Sequence, residues 1–378
     1  MRLLDGVAWA PIEVPTDGSD PTSALGFFLW ERTIVSSRAD APDILRACGA
    51  ANTLELALRS GGFSLSDQYW YRAEGSSLTW ADANFFDNEW DPSFGEAVLA
   101  KDYDALAHAS LRTPDVTLGG FCRKAWAQTE RGLRLLKAPP EGDAACVSEG
   151  EAHIQCEALV SRMLDRLVGE DGHVPYEPLE VNGELYSSCP LMLGRNEELV
   201  SGTRVFTWVG LNSWTFDAQV TRDDFDSLMA LYLGTLEKLG VEDGTQGMAK
   251  LFVMSSLALD GDTHPANFGL VRDVRTLKLR QAPLYDHGRG FLNLLGQHEA
   301  LCRSPFLISV VLGRDFSRLD PAWDYSWYDP HALDGFEDEI LSTLSVIPSL
   351  PEGYAELMAR LFVVQRNYVN QVTQADRP

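Results

Sequence analysis

The sequence predicts an α+β fold in two main parts, strand-rich then mostly helical, with an additional N-terminal subdomain in front. Three observations predict it. Residues 121–138 form two apolar-rich runs around Thr129-Glu130-Arg131-Gly132, the pattern of a β-hairpin. Beyond about residue 195 the apolar positions recur at helical spacing instead, as in Phe225, Leu228, Met229, Tyr232 and Leu236. Ahead of residue 113 the chain mixes short strands, turns and helices with dense aromatics and has neither pattern. The boundaries read as 1–112, 113–194 and 195–378.

The chain has 378 residues, 45% hydrophobic, enough for a sizeable core. Its net charge is −24, with a sequence pI near 4.6, which argues against tracking nucleic-acid phosphates or an anionic membrane. The six cysteines, Cys48, Cys122, Cys146, Cys156, Cys189 and Cys302, have no Cys-x-x-Cys spacing and read as reduced thiols of a cytoplasmic protein. The start, Met1-Arg2-Leu3-Leu4-Asp5-Gly6, meets an acid before any apolar region forms, and no run approaches membrane-span length. A soluble, intracellular chain is expected.

In order, Ile44–Leu58 carries apolar residues at roughly helical spacing, broken near Gly49. The aromatics of Ser64–Trp70 and Leu78–Asn88 suit core and capping contacts better than a binding platform. Pro114-Asp115-Val116-Thr117 with Gly119-Gly120 is a turn before the first hairpin strand. On the second strand Leu133, Leu135 and Lys137 share a face, and a lysine there is costly unless it meets an anion or reaches water. Ser148 and Glu151 fit a capping box for a helix to about Leu167. Glu157 lies on its apolar stripe with Ile154, Val160 and Leu164, so it wants a cation, and Lys137 is the candidate. His173–Tyr176 and Glu184–Leu193 read as strands, with Leu191–Gly194 crossing into the helical part. Thr221 and Asp224 make another box-like cap. Gly247–Leu259 is a nearly apolar helix, and Glu337–Leu344 and Tyr354–Val369 are the clearest later ones.

The Gly247–Leu259 helix delivers the chain into Asp260-Gly261-Asp262-Thr263-His264-Pro265-Ala266-Asn267-Phe268-Gly269. Asn267 follows Asp262 by five, and Asp286-His287-Gly288 follows across a hairpin that would return Asp286 to Asn267. A metal-bound nucleoside triphosphate needs this set: one carboxylate for the attacking hydroxyl, with an Asn and a second Asp holding magnesium against the phosphates. Asp-x-x-x-x-Asn followed by Asp-x-Gly is the order of protein-kinase-like enzymes.

With these parts in place, the sequence resembles the HipA-like serine/threonine kinases over residues 30–300, most closely their single-chain, CtkA-like branch. Asp262–Gly269 matches the family's Asp-x-His-x-x-Asn-Phe-Gly loop, and Asp286-His287-Gly288 its metal-binding Asp-x-Gly. Pro114–Thr117 with Gly119 and Lys124 is similar to its phosphate-loop region, Leu136-Lys137 to its lysine strand and Cys156-Glu157 to the family's Asn-Glu helix. Tyr186–Cys189 is similar to the strand before the hinge. Three departures stand out: Asp260 replaces an expected Asn, a Glu-Pro lead-in before Glu157 is missing, and Gly119-Gly120 is short of a full Gly-x-Gly-x-x-Gly.

The resemblance implies a two-lobed, protein-kinase-like fold whose first lobe is 113–194 and second 195–378. It implies ATP and Mg2+ as cofactors and a protein Ser/Thr acceptor. Asp262 would orient the hydroxyl, with His264 in support; Asn267 and Asp286 would hold the metal. Gly119, Gly120, Lys137, Glu157 and Leu193 would serve the nucleotide, with Lys137 also catalytic. Thr117 is a candidate autophosphorylation site. An antitoxin-like partner fits the family, with no direct nucleic acid and no membrane. The residues leave open a small-molecule kinase, a non-catalytic binding module, and a metallohydrolase using Asp260, Asp262 and His264 on one strand face.

Overall fold

The computed structural model describes residues 11–12, 22–72, 74–141, 150–210 and 222–374, with only the backbone for 222–225, 305, 314 and 315. Met1–Gly6, Cys146, Ser148, Glu149, Thr221 and the side chains of Asp224 and Phe225 therefore lie outside the described residues.

Along the first stretch run α1 (Thr22–Glu31), α2 (Ala41–Ala47), α3 (Thr53–Ser60), α4 (Trp80–Ala83), α5 (Ser93–Ala100) and α6 (Tyr103–Leu106). Then come the hairpin β1 (Lys124–Thr129) and β2 (Gly132–Lys137), helix α7 (Ala152–Val168), and the hairpin β3 (Glu177–Val181) and β4 (Glu184–Pro190). The remainder comprises β5 (Glu197–Ser201), α8 (Gly202–Trp208), α9 (Arg222–Lys238), α10 (Gly244–Leu257), β6 (Gly269–Asp273) and β7 (Leu279–Gln281). Helices α11 (His298–Arg303), α12 (Pro305–Val311), α13 (Phe336–Leu344) and α14 (Tyr354–Gln374) complete the chain. Two compact units interleave along it. One comprises Met1–Gly142, Pro190–Val241 and Gly269–Arg280; the other Asp143–Cys189, Glu242–Phe268 and Gln281–Pro378.

The first unit has two apolar clusters. Ile34, Ile44, Leu56, Phe94, Val98 and Leu106 join α2, α3, α5 and α6. The break expected near Gly49 separates α2 from α3, and Asn52 caps α3 by accepting the Glu55 N–H at 2.9 Å. The second cluster gathers Phe63, Leu65, Phe85 and Trp126, with Trp70, Trp80 and Trp90 packed on it. The aromatic-rich stretch is thus core. Leu133 and Leu135 of β2 pack on the same cluster, and Lys137 is buried at the strand end. A three-stranded sheet of order β5-β6-β7 places Val200 opposite Leu270. Buried ion pairs Arg32–Asp67 and Arg272–Glu198 lie in this unit, and Arg272 also donates to the Tyr69 hydroxyl at 2.7 Å.

In the second unit α7 buries Ile154, Glu157, Val160 and Leu164, the stripe expected from spacing. Glu151 is its N-cap residue and makes no side-chain cap bond. It stands one position before the first helical residue, so it cannot act as the third residue of a capping box. His173–Tyr176 is not a strand. Only His173 forms a bridge, to Leu284, and Pro175 supplies no N–H to extend a ladder; β3 begins at Glu177. α10 and α14 pack together, with Gln365 on α14 donating to the Phe316 carbonyl at 3.0 Å and to Ser256 Oγ at 3.3 Å. Among the described residues no helix is long and apolar enough to cross a membrane.

Candidate functional site

The predicted residues divide between the two units. Gly119, Gly120, Lys137 and Leu193 belong to the first; Glu157, Asp262, His264, Asn267 and Asp286 belong to the second.

In the first unit, Pro114–Thr117 is one 3-10 turn capped by Thr113. The buried Asp115 carboxylate accepts the Trp126 N–H at 2.7 Å and the Thr113 hydroxyl at 2.6 Å, tying the turn to β1. Burial pushes its pKa up to about 6, against the pull of those two bonds. The Thr117 hydroxyl is buried and donates to the carbonyls of Pro114 and Phe63 at 2.9 and 3.2 Å. Gly120 follows with φ +88°, and a Cβ there would lie 2.7 Å from the Lys124 ammonium. Lys124 stands directly opposite Lys137 in the hairpin register. Like charges directly opposite across a strand pair are unfavourable. Leu193 is buried.

In the second unit, α10 ends at Leu257 and the chain turns through Leu259 at φ +52°. The turn is held by side chains. Ser255 Oγ donates to the Asp260 carbonyl at 2.6 Å, and Asn293 Nδ2 donates to the Leu259 carbonyl at 3.0 Å. Asp260 is buried, and its carboxylate accepts the Asp262 N–H at 2.9 Å. Burial, and next the charge of Asp262, raises Asp260 to about 7. Burial thus favours the neutral acid at Asp260, in keeping with a position where the resemblance leads one to expect an amide.

Asp262 itself is 43% exposed, open to an incoming hydroxyl. Asn267 Nδ2 donates to the Asp262 carbonyl at 2.9 Å and closes the loop. His264 accepts the Ala266 N–H on Nδ1 at 3.2 Å, while its Nε2 lies 3.8 Å from the Asp262 carboxylate. The histidine thus caps the loop and faces the acid. Tyr285 donates its hydroxyl to the Ala266 carbonyl at 3.1 Å, which brings the following residue, Asp286, beside this loop. Asp286 has φ +61° and donates its N–H to the Tyr176 hydroxyl at 3.1 Å. Leu259, Asp286 and Phe291 are three of the six non-glycine residues with positive φ among the described residues. Such backbone is costly and gathers where the surroundings fix a functional geometry. Residues 260–266 are loop, so Asp260, Asp262 and His264 do not share a strand face. Among the described residues, no group of three His, Cys, Asp or Glu is placed to hold a metal.

No family model matches the chain, and no curated protein does. Solved structures are similar to it, two of them as follows. HipA from a Shewanella oneidensis toxin–antitoxin system, solved with HipB and operator DNA, is 11% identical at a TM-score of 0.52, covering 97% of this chain and 92% of that one. The Helicobacter pylori proinflammatory kinase CtkA is 13% identical at a TM-score of 0.44, covering 68% of this chain and 96% of that one. The chain has a HipA-like, kinase-type fold.

Within this HipA-like fold, magnesium and nucleotide can be tested against the residues present. Asp286 and Asn267 carry hard oxygen donors of the kind Mg2+ takes, and the Asn267 amide nitrogen is committed to the Asp262 carbonyl, so its oxygen is the atom that could face a metal. Gly120 and the cationic Lys124 and Lys137 suit a phosphate in charge. Sequence reasoning marked the motif residues as candidates but missed the framework of Tyr176, Asn293 and Ser255. The only signal for Tyr176 is its place in an extended run, and for Asn293 a turn-prone composition.

Proposed function

We propose that the chain is an ATP- and magnesium-dependent kinase that phosphorylates a serine or threonine hydroxyl of a protein. The observation that carries this reading is the grouping of Asp262, Asn267 and Asp286 in one unit, with Asn267 tied to the Asp262 backbone and Tyr285 tying the Asp286 segment to Ala266. Residues 113–194 and 195–378 are taken as the two lobes and 1–112 as the added subdomain.

Asp262 orients the acceptor hydroxyl and takes its proton as the oxygen attacks the terminal phosphorus. His264 holds the loop and steadies that carboxylate. Asn267 and Asp286 would bind Mg2+, which neutralises phosphate charge when bound. Lys137 and the amides around Gly119-Gly120 bind phosphate oxygens, Leu193 contacts the nucleotide, and Glu157 is assigned as the counter-charge of Lys137. Positioning and charge neutralisation carry the catalysis.

The HipA neighbour is solved with HipB, and on that likeness we propose an antitoxin-type protein partner here. The charge of −24 supports a chain that does not bind nucleic acid directly, and six cysteines without Cys-x-x-Cys spacing support one that works in the cytoplasm.

Calorimetry with ATP and Mg2+ tests the proposal. The native chain is expected to bind nucleotide in a magnesium-dependent way, and Asp286→Asn to weaken that binding about tenfold or more, as loss of one charged metal ligand does. No binding by a well-folded native chain would make it a binding module that keeps only the fold.

A further inference from the structure

The segment carrying Asp286 is gripped along its length by parts of the same unit. Leu284 accepts the Val174 N–H at 2.8 Å and donates its own N–H to Gly172 at 3.0 Å. The Tyr176 hydroxyl accepts the Asp286 N–H at 3.1 Å, and its ring meets His287 edge-on with centroids 6.5 Å apart. A Cβ on Gly288 would lie 2.0 Å from His153 Cε1, so the His153 ring occupies the space where any side chain would begin. A Cβ on Gly290 would lie 2.4 Å from Val160 Cγ2. His153, Glu157 and Val160 lie along one face of α7, at positions i, i+4 and i+7.

We infer that Tyr176 is a positioning residue for Asp286, and that the seating of His153 on Gly288 joins the Asp286 segment to the helix bearing Glu157. The inference rests on the phosphotransfer reading for its consequence, but its geometry is independent of it. The phenol fixes the amide of a residue held at φ +61°, a conformation that a lone aspartate does not keep unaided. The carboxylate then meets the metal already oriented, with little ordering left to do at binding. Glycine at 288 is required for contact, since the imidazole leaves no room for a methyl.

Two variants test this. Tyr176→Phe removes only the accepting oxygen. Its folded protein is expected to need about tenfold more Mg2+ for half-maximal nucleotide binding by calorimetry, with affinity at saturating Mg2+ nearly unchanged. A folded variant with native magnesium dependence overturns the positioning role. Gly288→Ala is expected to lower Tm by several degrees, and adding His153→Ala is expected to recover most of that loss. Absence of recovery overturns the join between α7 and this segment. Recovery in a chain that binds no magnesium nucleotide would refute the phosphotransfer reading and leave the join standing.

Discussion

Asp115 shows what one buried carboxylate does at the scale of a residue. Burial raises it from 3.8 to about 6, while the Trp126 amide and the Thr113 hydroxyl hold it in place. The folded state therefore binds this proton more tightly than the unfolded chain. The resulting stability is fully present below pH 3.8 and is lost as the pH rises through about 6, an effect on the order of 3 kcal/mol. Asp115→Asn keeps an oxygen for the Trp126 amide and removes the charge. It is expected to flatten the pH dependence of urea unfolding between those values and to raise stability at pH 7.5. Parallel curves for the two proteins would show that the carboxylate is not the cause. Asp115 was legible as a turn residue before Gly119-Gly120, but not as the tie to β1, because that bond joins positions eleven apart with no shared period.

At the scale of elements, the β1–β2 hairpin and the turn before it form one device. Alternation made the hairpin readable, since a one-residue slip would move its apolar residues to the other face. The register then sets Lys124 opposite Lys137. Gly120, at φ +88°, lies beneath the Lys124 ammonium. Gly120→Ala strains that backbone by about 1–2 kcal/mol and displaces the lysine. Nucleotide affinity is expected to fall about tenfold with a small loss in Tm, as read by calorimetry and thermal unfolding; unchanged affinity would remove Gly120 from the phosphate site. The α7 helix was equally readable from its stripe, and its N-terminal boundary was not, because a capping pattern is a local preference that the chain can decline.

At the scale of the whole molecule, the fold is HipA-like and the charge is −24. The HipA neighbour is solved with HipB and operator DNA. A chain of net negative charge is repelled by the long phosphate backbone of a duplex and releases few counterions on approaching it. In a gel-shift assay at physiological salt, about 10 µM protein is expected to leave a duplex unretarded. A retarded band would reveal a basic face that the net charge conceals.

The sequence by itself determined the α+β character, the hairpin and the apolar stripe of α7, and it marked Asp262, Asn267 and Asp286 as candidates. These are short-range patterns, written in periods of two or 3.6 or in fixed loop spacings. Only the tertiary structure decided that Tyr176 meets the Asp286 amide across 110 positions, that His153 seats on Gly288, and that Asn293 holds the Leu259 turn. Each is a contact between segments whose sequences carry no common period, so a tyrosine in an extended run reads the same whether it faces solvent or holds the Asp286 amide.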